Sequence, residues 1–533
     1  MSVRNVLTID KWVLELERKG VELFLRGNQL AYRAARNAMD DELLGELKAR
    51  KAELLEFLQA KSEEQGREID GLKDGSSFPL TYAQRSFWSL EKELPGNPYS
   101  NLINVVSIWG EIDLSAMHAA FEGIVNQHPA LRTTISEEDG RPVQRVNADL
   151  PHAIKVEDLG ELSQEEGQTS IARTIFLNQQ LPFDLQNGPL YRATLLVMDQ
   201  QKAVLVFATH HIICDEWSFE LFNQELFGRY EAILAGKPYE SDRSGRSMGE
   251  HAIWQEKMVG EGTWTRQIEY WTKKLQATQE NTSAELGPHA GGAEYFEVAY
   301  HRFELKAEVL EGVRSLLPSA GCTSMMVFLA ALEVALAKWC DRPGVPIGTL
   351  ATARLDASLE YPIGLYLNTL VFAPDLSGDP SLREALLRIR SEMLMSYRNQ
   401  DVPFEYLLES LGQVEGFEPS KLFRVMFLHH TMGKTHERGG LFYKFLDVSR
   451  LIEKPRIPTS FDLIFSVEER ETGIHVTAVY KSAKYKAELI QQFCAAYAEV
   501  LRSLIETPDK ALSAPFQGGY AEAAAEFGTL FNH

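Results

Sequence analysis

At 533 residues the chain is too long for one ordinary domain, and two or three are expected. A hydrophobic share of 44% supports sizeable cores, and a formal net charge of -21 argues against a nucleic-acid partner. No run of about 20 apolar residues occurs and Met1–Val6 lacks the apolar centre of a secretion signal, so no membrane contact and a cytoplasmic location are expected.

Residues 1–60 read as a separate small unit. Ile9–Glu17 predicts a short helix. Val21–Leu25 and Gln29–Arg33 flank Arg26-Gly27-Asn28 and predict a β-hairpin about a Gly-Asn turn. Glu42–Leu58, with Leu43, Leu47, Leu54, Leu55 and Leu58 apolar, predicts a helix for the hairpin to pack on. A two-stranded sheet leaves an unpaired edge to which a linear peptide can add. Lys19, Arg26, Arg33 and Arg36 surround the hairpin, with Glu22 the sole acid from Lys19 to Arg36. The unit resembles the N-terminal β-hairpin docking domains (TubC-type) of assembly-line synthetases. That resemblance, with the basic charge, implies an upstream acyl or peptidyl carrier protein that binds through an acidic, partly apolar C-terminal tail. A solvated, charged hairpin surface is the alternative.

Residues 61–77 are polar, with Gly66, Gly71 and Gly75, and read as a linker. The main body opens with Leu80-Thr81-Tyr82-Ala83-Gln84-Arg85-Ser86-Phe87-Trp88. A helix is expected over His118–Gln127, and Asn126-Gln127-His128-Pro129-Ala130-Leu131-Arg132-Thr133 follows. Ala203–Ala208 reads as a buried strand that runs into Thr209-His210-His211. Consecutive side chains on a strand point to opposite faces, so only one of the two histidines can serve a given cavity. Asp215 is placed to cap a helix over Glu216–Leu234, whose apolar face carries Trp217, Leu221, Phe222, Leu226, Tyr230 and Leu234. Glu216 suits the positive end of that helix. His211 therefore stands at the mouth of a strand–loop–helix, where an imidazole can act as a general base near neutral pH. The competing reading makes both histidines satisfied core residues.

Cys214, Cys322, Cys340 and Cys494 lack zinc or redox spacing and read as reduced thiols, so no metal is expected. Cys214 adjoins the candidate base, yet no positive partner is evident to make it a thiolate. Gly236–Met248 is mostly polar and suits a crossover. Beyond it Met325–Trp339 predicts an apolar helix and Val345–Leu350 a strand, which completes an α/β alternation. Thr349–Arg354, Ile363-Gly364-Leu365-Tyr366-Leu367-Asn368-Thr369, Asn399-Gln400-Asp401-Val402-Pro403-Phe404-Glu405 and Leu422-Phe423-Arg424-Val425-Met426-Phe427 follow in order. The tail, 516–533, is rich in Ala and Glu and suits a short helix.

Taken in order with His210-His211-xxx-Asp215-x-Trp217-Ser218, these segments resemble the motifs of condensation domains from nonribosomal peptide synthetases, over roughly Phe78–Leu512. One residue departs from the pattern: the family usually has Gly where Glu216 stands. Glu implies either ordinary helical angles here or a carboxylate reaching toward the tunnel, which would raise the basicity of His211.

The resemblance implies an α/β (α+β) fold of two chloramphenicol acetyltransferase-like subdomains, 78–250 and 251–515, in a V-shaped pseudo-dimer with the active site between them. It implies transfer of an acyl group from a thioester on a carrier protein's phosphopantetheine arm to an amine or hydroxyl, with no bound cofactor. His211 would be the base, and backbone amides after Asp215 would bind the oxyanion. Asp215 would pair with Arg354 from the other half, and His210 would orient the site. Tyr82, Gln84, Arg85, Arg132, Trp217, Ser218 and Asn368 would line the tunnel or brace the motifs. A docking unit with no carrier or adenylation signature suggests chain release onto a small-molecule or carrier-bound acceptor. A carboxylate beside His211 would suit a hydroxyl. Competing readings are an acyl-CoA-dependent acyltransferase and a carrier-recruiting domain without chemistry. The intact histidine pair excludes heterocyclisation domains, and the additional motif of epimerisation domains is absent.

Overall fold

The computed structural model describes residues 9, 12, 13, 16, 21–26, 29–34, 41–57 and 75–514, the last without 149, 151–152, 240–244, 282–297, 415–416, 418–421, 432–434, 447–460 and 471. In the N-terminal unit β1 (Val21–Arg26) and β2 (Gln29–Ala34) pair antiparallel with Arg26 opposite Gln29, as the two-residue Gly-Asn connection requires. Helix α1 (Asp41–Ala49) follows, and helix resumes over 51–57. Trp12, Val13 and Leu16 from a helical segment join Val21, Leu23, Leu47 and Leu54 in a core of their own. Residues 21 and 23 share one face of β1, as the period of two demands. Arg26 and Arg33 lie on the two strands, Glu22 standing opposite Arg33 in register. Lys19 and Arg36 fall outside the described residues, as does the tail from 515.

The main body begins with a small sheet of β3 (Ser77–Pro79), β6 (Arg141–Val146) and β5 (Thr133–Glu138), beside α2 (Tyr82–Glu93). A first lobe is built on β4 (Asn101–Trp109), β9 (Lys202–His210), β8 (Tyr191–Asp199) and β7 (Lys155–Asp158). Helices α3 (Leu114–Gln127), α4 (Gln164–Gln180) and α5 (Glu216–Leu234) cover it. Phe207 of β9 stacks on Phe222 of α5 with ring centroids 4.0 Å apart, so strand and helix are locked on either side of the His210-His211 junction.

Helices α6 (Met248–Gly260) and α7 (Thr265–Asn281) lead to a second lobe. Its six-stranded sheet runs β10 (Val298–Lys306), β17 (Gly473–Lys481), β16 (Leu463–Arg470), β13 (Val425–Thr431), β11 (Ile347–Thr352), β12 (Leu367–Phe372). Helix α9 (Ser324–Trp339), apolar all round, is buried among α8 (Ala307–Ala320), α10 (Leu382–Tyr397) and α12 (Ala487–Glu506). The short α11 (Phe404–Leu411) meets α2 of the first lobe, where Tyr82 and Tyr406 lie 5.2 Å apart and Ser86 donates to Glu405 at 3.1 Å.

Two segments from the later half enter the first lobe. The hairpin β14 (His436–Arg438) and β15 (Leu441–Phe445) extends the first sheet, β15 pairing antiparallel with β4 through Phe442–Trp109 to Phe445–Val106. Its tip crowds the end of β4: a Cβ on Gly110, at φ +122°, would stand 2.7 Å from the Gly440 carbonyl oxygen. Leu359, Ile363, Leu365 and Tyr366, from the loop between β11 and β12, belong to the first core as well. No single helix among the described residues is long and apolar enough to cross a membrane.

Candidate active site

β9 ends at His210, a one-turn 3-10 helix spans His211–Ile213, and α5 starts at Glu216. The two histidines diverge as strand alternation requires. His210 is buried, accepts a hydrogen bond on Nδ1 from the Ile212 amide at 3.1 Å, and packs edge-on against Phe183. Burial, with the neighbouring His211, lowers its pKa to about 3, so it is a neutral brace for the turn. His211 is less enclosed, with intermediate exposure as a residue. Its Nδ1 lies 2.8 Å from the Cys214 carbonyl oxygen, to which it donates. That bond fixes the tautomer and leaves Nε2 as the basic nitrogen. Phe87 of α2 lies against the ring, centroids 4.6 Å apart.

Burial pulls the His211 pKa below its usual value, and the charges of Asp215 and Glu216 offset this only in part. The increase in basicity expected from a carboxylate at position 216 is therefore outweighed: the ring is a neutral, moderate base. The Cys214 thiol is buried and burial pushes its pKa up, which removes it as a nucleophile. Among the described residues no group of His, Cys, Asp and Glu could hold a metal ion.

Asp215 has no exposed surface, and its carboxylate is surrounded by donors. Oδ1 accepts from the Ser218 amide at 2.8 Å, the Ser218 hydroxyl at 2.6 Å and Arg354 Nη2 at 3.0 Å. Oδ2 accepts from the Tyr366 amide at 3.0 Å and Arg354 Nη2 at 3.2 Å. The Ser218 amide is thus engaged in the cap, which leaves the first-turn amides of Glu216 and Trp217 as the candidates for an oxyanion. Arg354 comes from the loop after β11; its Nη1 donates to the Leu359 and Pro362 carbonyls, both at 2.7 Å, and its guanidinium lies 4.5 Å from the Tyr366 ring centre. Asp215 and Arg354 accordingly fasten the second lobe's loop to the start of α5.

Glu216 is the first residue of α5 and has helical geometry, and its carboxylate also reaches outward. Oε2 lies 3.1 Å from Nδ1 of His430, at the end of β13 in the other lobe. The Glu216 side chain is 68% exposed and that of His430 28%. Burial opposes the charge on each, yet each shifts toward its ionised form: the pair's hydrogen bond and mutual charge lower Glu216 and raise His430, with Glu468 adding to the latter. His430 carries no motif signal, and only the fold brings it beside α5.

The other expected residues brace the site. Gln84, fully buried at the third position of α2, completes a capping box with Thr81 and donates to the Ile212 carbonyl at 3.1 Å, tying α2 to the histidine turn. Arg85 lies over the Tyr82 ring at 4.2 Å and 3.6 Å from Glu256. Trp217 is exposed, with Nε1 3.4 Å from the Glu360 carbonyl oxygen. Ser218 joins Asp215 to Gly364 from the second half. Arg132 closes on the last carbonyls of α3, at Val125 and Asn126. Asn368 donates to the Gln400 and Val402 carbonyls and accepts from the Phe404 amide, holding the turn into α11. Arg132 and Asn368 make these contacts within their own lobes rather than with the histidine turn.

The Condensation domain model matches residues 76–518, and the TubC N-terminal docking domain model matches residues 9–60. A linear gramicidin synthase polypeptide of Brevibacillus parabrevis is 28% identical over 437 residues, 82% of this chain and 8% of that protein. Chondramide synthase cmdD of Chondromyces crocatus is 27% identical over 81% of this chain and 11% of that protein. The chain thus spans about a tenth of these relatives' length. Among solved structures, SgcC5 from Streptomyces globisporus superposes with a TM-score of 0.67 at 22% identity, covering 81% of this chain and 100% of that one. A variant of the starter condensation domain of rhizomide synthetase RzmA, in complex with C8-CoA, gives 0.69 at 19% identity, covering 83% and 98%. These likenesses establish the fold: two chloramphenicol acetyltransferase-like subdomains.

Proposed function

The chain belongs to the condensation domain family and carries a TubC-type docking domain, and on that premise we propose that it transfers an acyl group from a carrier-protein thioester to an amine or hydroxyl acceptor. The donor arrives on a phosphopantetheine arm, and the carrier is recruited by an acidic C-terminal tail that adds to the hairpin edge of the N-terminal unit. The observation that carries the reading is the fixed tautomer of His211, an uncharged imidazole with Nε2 basic, on a residue only partly buried at the end of β9.

A thioester is already activated, so the protein mainly positions the reactants and moves one proton. His211 Nε2 takes the acceptor's proton as its nitrogen or oxygen attacks the thioester carbonyl. The positive end of α5, through the Glu216 and Trp217 amides, offsets charge on the tetrahedral oxyanion. Collapse expels the thiolate, which recovers the proton by way of His211. Asp215, Arg354 and His210 hold this geometry without touching substrate. Release of a finished chain onto a soluble acceptor fits a chain that has a docking unit.

The test is to incubate the protein with an acyl-loaded carrier and a panel of amines and alcohols, and to weigh the products. New amide or ester, formed with loss of the loaded carrier, supports the reading; turnover of acyl-CoA at the same rate as the carrier-bound donor would replace it with an acyl-CoA-dependent transferase; absence of transfer from either would leave a recruiting domain.

A further inference from the structure

The segment Tyr82–Trp88 makes about two turns of α2, and its sides look in different directions. Gln84 and Phe87 stand three residues apart and so share one side, toward the histidine turn. Gln84 Nε2 donates to the Ile212 carbonyl at 3.1 Å, and the Phe87 ring lies against that of His211, centroids 4.6 Å apart and planes tilted by 33°. Tyr82 and Ser86, four residues apart, share another side, toward α11 of the second lobe. There the Tyr82 and Tyr406 rings lie 5.2 Å apart, and Ser86 Oγ donates to Glu405 Oε1 at 3.1 Å. One helix thus stands between the base and the other lobe and touches both.

The aim of His211 depends on that helix. Its ring makes one hydrogen bond, from Nδ1 to the Cys214 carbonyl, which anchors one edge and lets the plane tilt about it. The Phe87 ring supplies the second restraint. It also keeps water off the face it covers, which disfavours the imidazolium. The ionisable groups near His211 are Asp215 and Glu216 on its own turn and helix, His210 on β9 and, across the lobes, His430 paired with Glu216. Both acids favour the charged ring, and burial outweighs them. On α2 the neighbouring cation, Arg85, lies over the Tyr82 ring with Glu256 of α6 3.6 Å away. On α11, Glu405 stands beyond Ser86, and burial raises its pKa.

We propose that Phe87 is a positioning residue for His211, and that the second lobe sets it through the Ser86–Glu405 contact. The inference rests on the acyl-transfer reading above and names what aims its base. Nε2 points at the acceptor only while α11 sits against α2 and presses the Phe87 ring onto the imidazole. When that grip is lost, α2 shifts, the imidazole tilts and water reaches its face. A group displaced by about 1 Å loses on the order of 10² in rate, so a small movement of α2 suffices.

The experiment follows His211 by NMR in the full chain labelled in histidine, its signals assigned against His211→Gln, for the wild type, Phe87→Ala, Phe87→Leu, Ser86→Ala and Glu405→Ala. Phe87→Ala should raise the His211 titration midpoint toward the ordinary 6.5. Phe87→Leu, the milder cut that guards against loss of the fold, should shift it the same way by less. Ser86→Ala and Glu405→Ala should each raise it too, and their double variant no further than either single one, since both remove one bond. Loss of the Glu405 charge by itself would move the midpoint down, so a rise isolates the mechanical effect. In the transfer assay kcat for Phe87→Ala should fall roughly tenfold or more with donor KM retained. An unmoved midpoint and kcat in the Phe87 variants overturn the assignment, whatever happens to the melting temperature. A shift in the Phe87 variants with none in Ser86→Ala and Glu405→Ala overturns the part given to the second lobe. The titration needs no substrate, so absence of transfer in the wild type would remove the acyl-transfer reading while the midpoints still decide the positioning.

Discussion

Arg354 closes on Asp215 with Nη2 3.0 Å from Oδ1, and neither side chain reaches solvent to any useful extent. The contact joins the loop after β11 to the cap of α5, so one ion pair fixes both the helix start and the seat of the later segment. Removing one partner of a buried pair leaves an uncompensated charge and costs about 3–5 kcal/mol. Asp215→Ala and Arg354→Ala are expected to lower the denaturant midpoint by similar amounts. The double variant should be far less than additive in a thermodynamic cycle.

His211→Ala should behave differently. The ring makes one hydrogen bond, to the Cys214 carbonyl, and the residue is only partly buried, so the fold and the melting temperature are retained within narrow limits. Acyl transfer should drop by about 10²–10⁴, the usual contribution of a positioned base. Circular dichroism beside the mass-based assay separates the two effects. Because burial lowers the His211 pKa, the acid limb of kcat/KM for an uncharged acceptor should fall below 6.5, activity being lost as the ring protonates.

Stability should fall with acid for a related reason. His210 and His251 are both buried, and desolvation lowers each pKa to about 3. Between about pH 6.5 and that value the unfolded chain binds protons at both rings and the folded chain does not. Unfolding free energy therefore declines as pH falls through this window, by about 1.4 kcal/mol per pH unit for each ring. His251→Gln should remove one ring's share of that slope, measured from denaturant midpoints at pH 7, 6 and 5.

Gly364 has no room for a methyl group. A Cβ there would stand 2.4 Å from Tyr366 Cε2 and 2.9 Å from Met248 Cγ, beside the bonds that Gly364 makes to Ser218. Gly364→Ala should cost about 1–3 kcal/mol by overpacking. It should also impair transfer, since Tyr366 supplies an amide to Asp215. A denaturant melt and the transfer assay on one preparation check both.

For the docking unit, Arg26→Glu combined with Arg33→Glu should weaken binding of a carrier that ends in an acidic tail, as measured by calorimetry. The weakening should shrink as salt is raised, because the attraction lost is electrostatic. A carrier without the tail should bind the two proteins alike.

Much of the site is legible in the sequence because its residues act locally. The Asp215 cap, the helix over Glu216–Leu234 and the hairpin around Gly27-Asn28 each follow from short-range backbone chemistry, and the structure has them at the expected bounds to within a residue or two. The Asp215–Arg354 contact is reached only through resemblance, since no periodicity links residues so far apart. His430 is not legible at all. Its strand alternates like any other, and which helix terminus it faces depends on how two lobes pack. The direction of the His211 shift is also hidden: charge is readable nearby, but burial outweighs it, and burial belongs to the tertiary structure.

The hairpin β14–β15 has a practical corollary for anyone recombining such chains. A splice made at the crossover near residue 250 would exchange this outermost pair of strands along with the later half, and whatever replaced them would have to mate with the Asn101–Trp109 backbone. A mismatched graft would strand a row of amides and carbonyls at the border of the first sheet, an invitation to self-association. Chimaeras that keep His436–Phe445 with their native partner strand should stay monodisperse where those cut at the crossover clump.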